Sequence, residues 1–375
     1  MKISVSKEEM QEKLANIQNI IEKKNTMPIL SHFLLNAGKK GSYIIATDIE
    51  TALKEPLEVS VEKEGKICIP ARKLFEIVRE VEGDLSLEII DEQWLRVRAG
   101  SSDFKLACLP HGDFPAWPSV LGGGDIEEIT IDPAILLEMI EKTIYSAGES
   151  DTRYTLNGLL FHAKPQNKSL TIVGTDGHRL ALIIRPMDDE VKEEKKIIVP
   201  RKAVSELRRF LSISHDDKET KKVKISIGDK HLLFSVDEIQ FLTRLIDGSY
   251  PNYENVIPQA NEKKMFLGRD TFGKVLRRVS IMSKERASAV RFDLEGDKLT
   301  VSSSSPDIGE AKEEVVIDYK GDNLSLGFNA RYMLDVLGAI SSDKVILELQ
   351  DPLSPVLIKE DGNDDYQCVI MPMRI

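Results

Sequence analysis

Ile172-Val173-Gly174-Thr175-Asp176 repeats a pattern met earlier as Ile44-Ile45-Ala46-Thr47-Asp48, and a weaker copy stands at Val301-Ser302-Ser303-Ser304. The copies are about 130 residues apart. Downstream of each, a short signature opens an apolar-periodic stretch: Ile69-Pro70-Ala71-Arg72-Lys73, then Val199-Pro200-Arg201-Lys202, then Phe328-Asn329-Ala330-Arg331. Asp113-Phe114-Pro115 and Ser249-Tyr250-Pro251 close the first two copies. Solenoid repeats run to roughly 20–50 residues, so a period this long predicts a whole domain used three times.

Length agrees, because 375 residues suffice for two or three domains that each bury a core. Composition is that of a soluble globular protein, 41% hydrophobic and 30% charged. No apolar run approaches the roughly 20 residues of a membrane helix, and Met1-Lys2-Ile3-Ser4-Val5 has no apolar signal core. We therefore expect a cytoplasmic protein without membrane association. Cys68, Cys108 and Cys368 are far apart within strand-like runs and read as buried reduced thiols rather than a disulfide or zinc site. A net charge of −11 argues against a generally basic, nucleic-acid-binding surface, so the distribution of charge matters more than its sum.

Each repeat reads as two helices and an antiparallel sheet, an α+β fold. In the first, the strand 2–5 precedes Ser6-Lys7-Glu8-Glu9, a capping box predicting a helix to about Lys23. In the second, Asp132-Pro133 supplies an N-cap and first helical residue, and in the third a helix runs from Asp270 to about Met282. Gly122-Gly123-Gly124 and Pro258-Gln259-Ala260-Asn261 read as joints, giving domains 1–122, 126–256 and 259–375. The charged stretches 188–196 and 215–222 read as solvated hairpin tips.

The helices separate their charges. Val204, Leu207 and Leu211 fall on one side at helical spacing, with Arg201, Lys202, Arg208 and Arg209 on another. Likewise Phe272, Val275, Leu276, Val279 and Met282 oppose Lys274, Arg277, Arg278 and Lys284. Repeated basic faces on an acidic chain suggest one phosphate-facing surface.

Thr175-Asp176-Gly177-His178-Arg179-Leu180 holds an Asp and a His, yet no nucleophile elbow, phosphate loop or metal-ligand spacing completes a catalytic site. The simpler reading is a strand and an Asp-Gly turn. Asp361, Asp364 and Asp365 read as a hairpin tip rather than a metal site. The terminal Met371-Pro372-Met373-Arg374-Ile375 is apolar for a chain end, either sheet closure or an adaptable contact surface. Neither a metal nor a cofactor is expected.

The triple repeat, Asn157-Gly158 ahead of the run from Thr175 to Leu180, the Asp247-Gly248-Ser249-Tyr250-Pro251 turn, the stretch 329–337 and the terminal Met-Pro-Met-Arg-Ile together resemble the bacterial DNA polymerase III beta subunit family, the sliding clamps. The resemblance spans the whole chain. It implies three clamp domains per chain and a head-to-tail dimer forming a ring, helices inside and sheets outside, around duplex DNA without sequence preference. Partners would be the DNA polymerase III catalytic subunit, the clamp loader, other polymerases and repair proteins, engaged through short linear motifs. The pocket for those motifs would be lined by Leu156, Thr175, Gly177, His178, Arg179, Leu180, Pro251, Val256, Asn329, Tyr332, Met371, Pro372, Met373 and Arg374. Loop contacts to DNA would fall on Lys24, Ser150, Arg153 and Tyr154, joined by the basic helix residues above. The ring seam would join Phe104 and Leu106 to Ile281 and Met282. Two readings compete: a nucleic-acid-acting enzyme using Asp176 and His178 as a proton-transfer pair, and a monomeric multidomain scaffold.

Overall fold

The computed structural model describes residues 1–21, 27–117, 127–188, 191–214, 222–283 and 288–374. Contacts divide the chain into two units, one of Met1–Ala134 with Ser205–Leu245 and one of Ile135–Val204 with Ile246–Ile375. Among the described residues, six α-helices recur in pairs: α1 (Lys7–Ile17), α2 (Ala71–Glu80), α3 (Pro133–Glu141), α4 (Arg201–Ser214), α5 (Arg269–Val279) and α6 (Ala330–Ala339). Their starts follow local chemistry. Ser6 Oγ accepts from the Glu9 N–H at 3.2 Å, Asp132 Oδ1 from Ala134 N–H at 2.8 Å, and Asn329 Oδ1 from Arg331 N–H at 2.9 Å. Only half of the capping box forms, because the Glu9 carboxylate accepts from the Glu58 N–H at 3.0 Å instead.

Two helix ends differ from expectation. α1 stops at Ile17 with Gln18 as its cap, short of Lys23, which lies outside the described residues. α5 stops at Val279, and Ser280–Met282 tightens into a 3₁₀ turn. There Ser280 Oγ donates to Arg277 O at 3.2 Å and Ser283 N–H to Ser280 O at 3.1 Å, local bonds that compete with continuing the helix. Met282 therefore leaves the apolar stripe and is only half-buried.

In the first unit, an antiparallel sheet runs in the order Ser60–Lys63, Lys2–Val5, Leu85–Asp91, Trp94–Ala99, Ser102–Ala107. A second sheet has eight strands, formed where Ile239–Arg244 pairs with Thr51–Pro56, Gln240 facing Lys54 and Thr243 facing Thr51. The second unit repeats the device. Its nine-stranded sheet is joined where Arg179–Pro186 pairs with Asn363–Ile370, Arg179 facing Ile370 and Ile183 facing Tyr366. A four-stranded sheet completes it, in the order Gly309–Val316, Lys298–Ser305, Ala289–Glu295, Leu324–Asn329. The residue before the second helix of each repeat holds an equivalent register: Pro70 faces His32, Pro200 faces Gly158, and Asn329 faces Ala289.

The apolar stripes behave as spaced. Val204, Leu207 and Leu211 are buried under α4, and Phe272, Val275, Leu276 and Val279 under α5. Phe272, Phe292 and Phe328 pack edge-on and tilted, with centroids 5.6 and 5.1 Å apart. Truncating any of these rings to alanine would cost about 3–5 kcal/mol. The second unit also buries an ion pair, Lys142 with Glu360, under the Tyr366 ring. Removing either partner would strand a charge, at about 3–5 kcal/mol. Cys68, Cys108 and Cys368 are buried free thiols, and burial pushes the first two up to about 12 and the third to about 11.

Candidate functional site

The run from Thr175 to Leu180 is a turn between two strands of the nine-stranded sheet, and its Thr and Asp side chains bond within the turn. Thr175 Oγ1 donates to Arg179 O at 2.6 Å and accepts from the Gly177 N–H at 3.1 Å. Asp176 Oδ1 accepts from the backbone N–H groups of His178 and Arg179 at 2.9 and 3.0 Å, while Oδ2 takes Arg179 Nε at 3.0 Å. The carboxylate is thus committed to backbone and to Arg179, not to the His178 ring, so these two residues do not form a proton-transfer pair. Gly177 sits at φ +84°, which glycine adopts without strain.

Beside this turn lies an apolar cleft of about 120 Å³. Leu156, Thr175, Gly177, His178, Arg179, Leu180, Pro251, Val256 and Met371 line it as the resemblance implies. Tyr253, Val369 and Arg153 line it too, none of them foreseen. Val369 faces Leu180 across the joined strands, so register alone delivers it. Asn329, Tyr332, Pro372, Met373 and Arg374 fall outside the cleft's lining. Asn329 caps α6, Tyr332 stacks on the Arg179 guanidinium at 4.3 Å, and the Met373 N–H bonds Gly327 O at 2.7 Å. The chain end is held in place by the Met371 N–H, which donates to His178 O at 2.9 Å.

Charges at the cleft are braced by the chain itself. Arg179 Nη1 reaches Asp335 Oδ2 at 2.5 Å. Arg153, which the resemblance assigns to DNA, is exposed and folds over Gly177: its Nη2 donates to Asp176 O at 2.9 Å and to Asp151 Oδ2 at 2.8 Å. Those bonds hold the Asp151 carboxyl at about 2, below the usual carboxylate range. Behind the apolar floor, buried His162 links Tyr253 and Glu194: Nδ1 is 2.8 Å from the Tyr253 hydroxyl and Nε2 2.5 Å from Glu194 Oε1. Burial lowers the imidazole's pKa, so with Glu194 ionised the neutral ring donates from Nε2 and accepts the Tyr253 O–H at Nδ1.

The remaining candidates scatter by role. Ser150 and Tyr154 are exposed, as are Lys202, Arg208, Lys274, Arg277 and Arg278, the last paired with Glu313. Arg201 and Arg209 are half-buried braces: Arg201 bonds Ala147 O and Glu149 Oε1, and Arg209 Nη2 bonds Ala15 O at 2.7 Å. Lys24 lies outside the described residues. Phe104 and Leu106 sit half-buried on the outermost strand of the five-stranded sheet, and Ile281 is 70% exposed. A second outermost strand, Gly309–Val316, ends on Val316, which is 82% exposed and which periodicity did not single out.

The three domain profiles of the DNA polymerase III beta subunit match in series: the N-terminal domain over residues 1–118, the central over 130–252 and the C-terminal over 254–374. The beta sliding clamp of Pseudomonas putida is 35% identical over the full length of both chains. The chain belongs to this family. That of Escherichia coli K12 is 32% identical, again over both full lengths. Among solved structures, the Pseudomonas aeruginosa beta subunit superposes with a TM-score of 0.93 at 33% identity, covering both chains entirely. A second structure of that clamp, bound to griselimycin, gives the same TM-score and identity. The chain therefore has three clamp domains and functions as a DNA sliding clamp, a non-catalytic processivity factor of DNA polymerase III. Neither the enzyme nor the scaffold reading survives.

Proposed function

We propose that two copies of this chain, each made of domains 1–122, 126–256 and 259–375, close head to tail around duplex DNA and hold partner proteins at the cleft beside residues 175–180. The carrying observation is the cleft itself, a concave apolar site whose charged neighbours are already paired and so present a dry surface to an apolar peptide. A flexible methionine at its mouth, Met371, suits many partners. The replicative polymerase, the clamp loader and repair proteins would share it through short motifs. Two unpaired sheet edges, at Ser102–Ala107 and Gly309–Val316, suit the ring seam with Phe104, Leu106, Ile281 and Met282, because edge strands invite pairing with a second chain. Exposed Lys202, Arg208, Lys274, Arg277 and Arg278 would hold DNA loosely through its phosphates.

The test is a calorimetric titration of a peptide carrying Gln followed by spaced Leu and Phe residues, on the full chain and on a chain lacking residues 371–375. The deletion removes cleft wall but no sheet strand, so the dimer should persist in sedimentation while peptide affinity falls by roughly tenfold or more, about 1.4 kcal/mol. Equal affinity for both chains would make the tail mere closure of the sheet and remove it from the site.

A further inference from the structure

All ten methionines lie among the described residues, and they are not equally open. Met1, Met10, Met139, Met187, Met265 and Met333 are buried, and Met282 and Met373 are half-buried. Met27 and Met371 alone are exposed, at 45% and 36%. Met27 belongs to the first unit, whereas Met371 stands in the wall of the apolar cleft. The cysteines compete poorly for an oxidant: all three are buried, and burial keeps them as thiols rather than reactive thiolates.

Met371 is pinned where a chemical change would be felt. Just before it Ile370 pairs with Arg179, its own N–H donates to His178 O at 2.9 Å, and the Met373 N–H donates to Gly327 O at 2.7 Å. Donors close by are already engaged. The Gly177 and His178 N–H groups bond Thr175 Oγ1 and Asp176 Oδ1, and the Arg153 and Arg179 guanidinium groups bond Asp151, Asp176 and Asp335. An oxygen added to the Met371 sulfur would therefore take its hydrogen bonds from water, which an incoming apolar side chain must displace at a cost.

We propose that Met371 is an oxidation site through which hydrogen peroxide loosens the cleft's hold on its partners. This rests on the reading of the cleft as the peptide site. In the step, the thioether sulfur gives a lone pair to one peroxide oxygen and the O–O bond breaks. The departing oxygen takes up the proton of the transferred one and leaves as water. Sulfur loses two electrons and peroxide gains them, which yields methionine sulfoxide. A methionine sulfoxide reductase, drawing on a thiol, reverses the change. A flexible apolar wall residue thus becomes polar. Occupancy acts in return, since a bound peptide covers Met371 and shields its sulfur.

The test treats the full chain with hydrogen peroxide, removes the excess, and titrates the peptide of Gln with spaced Leu and Phe residues by calorimetry. Mass spectrometry reads the oxygen gained at each methionine. With Met371 converted, affinity should fall about tenfold, and the two sulfoxide reductases, one per epimer, should restore it. Met27→Leu should show the same loss on oxidation. Met371→Leu should show none, whatever affinity it starts from. Saturating peptide, which carries neither methionine nor cysteine, should slow oxidation of Met371 but not of Met27. The reduction and protection arms use the parent chain alone, so they decide the matter even where a variant folds poorly. The proposal falls, and the peptide site stands, on any of three results: unchanged affinity with Met371 converted, a Met371→Leu chain that loses affinity as the parent does, or equal oxidation of Met371 with and without peptide. Absence of binding before peroxide would instead overturn the reading of the cleft, and this proposal with it.

Discussion

The turn at residues 47–51 in the first unit and the turn at 175–179 in the second are built from the same bonds and put to different uses. Thr47 Oγ1 donates to Thr51 O at 2.8 Å and accepts from the Ile49 N–H at 3.0 Å, as Thr175 Oγ1 does with Arg179 O and the Gly177 N–H. Asp48 Oδ1 accepts from the Thr51 N–H at 2.6 Å, matching Asp176 and Arg179. The third residue has φ +80° in one and +84° in the other. The next carbonyl, Glu50 or His178, accepts from the last residue of the sheet-joining strand or the one after it, Arg244 at 2.8 Å and Met371 at 2.9 Å.

What differs is side chains. In the first turn Ile49 takes the left-handed conformation and stands 51% exposed, and Arg244 lies 3.6 Å from Glu50. In the second, glycine leaves space that the Arg153 guanidinium fills, and His178 with Met371 edges an apolar cleft. The strands that leave the turns diverge likewise: the fourth residue past Thr51 is the buried Glu55, and its counterpart past Arg179 is the buried Ile183. One backbone device thus recurs beside both sheet joints, and of these two copies the one with glycine and apolar neighbours edges a cleft.

The largest expected effect comes from giving the second turn the first turn's residue. In Gly177→Ile a Cβ would stand 2.6 Å from Arg153 Nη1, at a φ that branched residues resist. Peptide affinity should drop about a hundredfold, about 2.7 kcal/mol, and the fold should lose about 1–3 kcal/mol. Calorimetry and a denaturant melt read both, and unchanged peptide binding would show that Arg153 and Gly177 do not shape the site.

Next comes the buried carboxyl. Burial beneath α1 and α4 pushes Glu55 up to about 7, although the Lys13 ammonium is 3.9 Å and Asn16 Nδ2 3.3 Å away. The unfolded chain's value is about 4.5, so between those values the native state holds the extra proton. Stability therefore falls as pH rises from about 4.5 to 7 and levels off above. Glu55→Gln should be more stable than the parent at pH 8, by on the order of 2–3 kcal/mol, with the gap closing below pH 5. Melts across pH 4–9 check this. A gap that widens toward low pH would mean that Lys13 and Asn16 hold the carboxylate ionised.

The smallest effect should follow Ile49→Gly. Relief of the left-handed strain, about 1–2 kcal/mol, outweighs glycine's entropic cost of about 0.5–1 kcal/mol, leaving a gain of about 0.5 kcal/mol. A lower melting midpoint would show that the exposed Ile49 side chain makes a contact worth more than the strain.

Much of this was legible before any coordinates. The threefold repeat, the caps at Ser6 and Asp132 and the Asp-Gly turn after Thr175 depend on chemistry within a few residues, which a sequence displays directly. The apolar stripes of α4 and α5 were readable for the same reason. The helix ends were less so: local bonds of Ser280 end α5, and no spacing signal marks the stop of α1 at Gln18.

The site divides along the same line. Sequence alone specified the turn at 175–180 and an apolar chain end, since both are local. Tertiary structure decided what they enclose. Register set Val369 against Leu180, and packing joined His162 to Tyr253 across 91 residues and to Glu194 across 32. Arg153 illustrates the limit best. As a lone basic residue in a loop it suits phosphate or carboxylate equally, and only the fold brings Asp151, the Asp176 carbonyl and the bare face of Gly177 within reach of one guanidinium. Glu55 is the converse case: nothing in an alternating strand reveals that its register will place a carboxyl under two helices, because burial belongs to the assembled sheet and not to the residue.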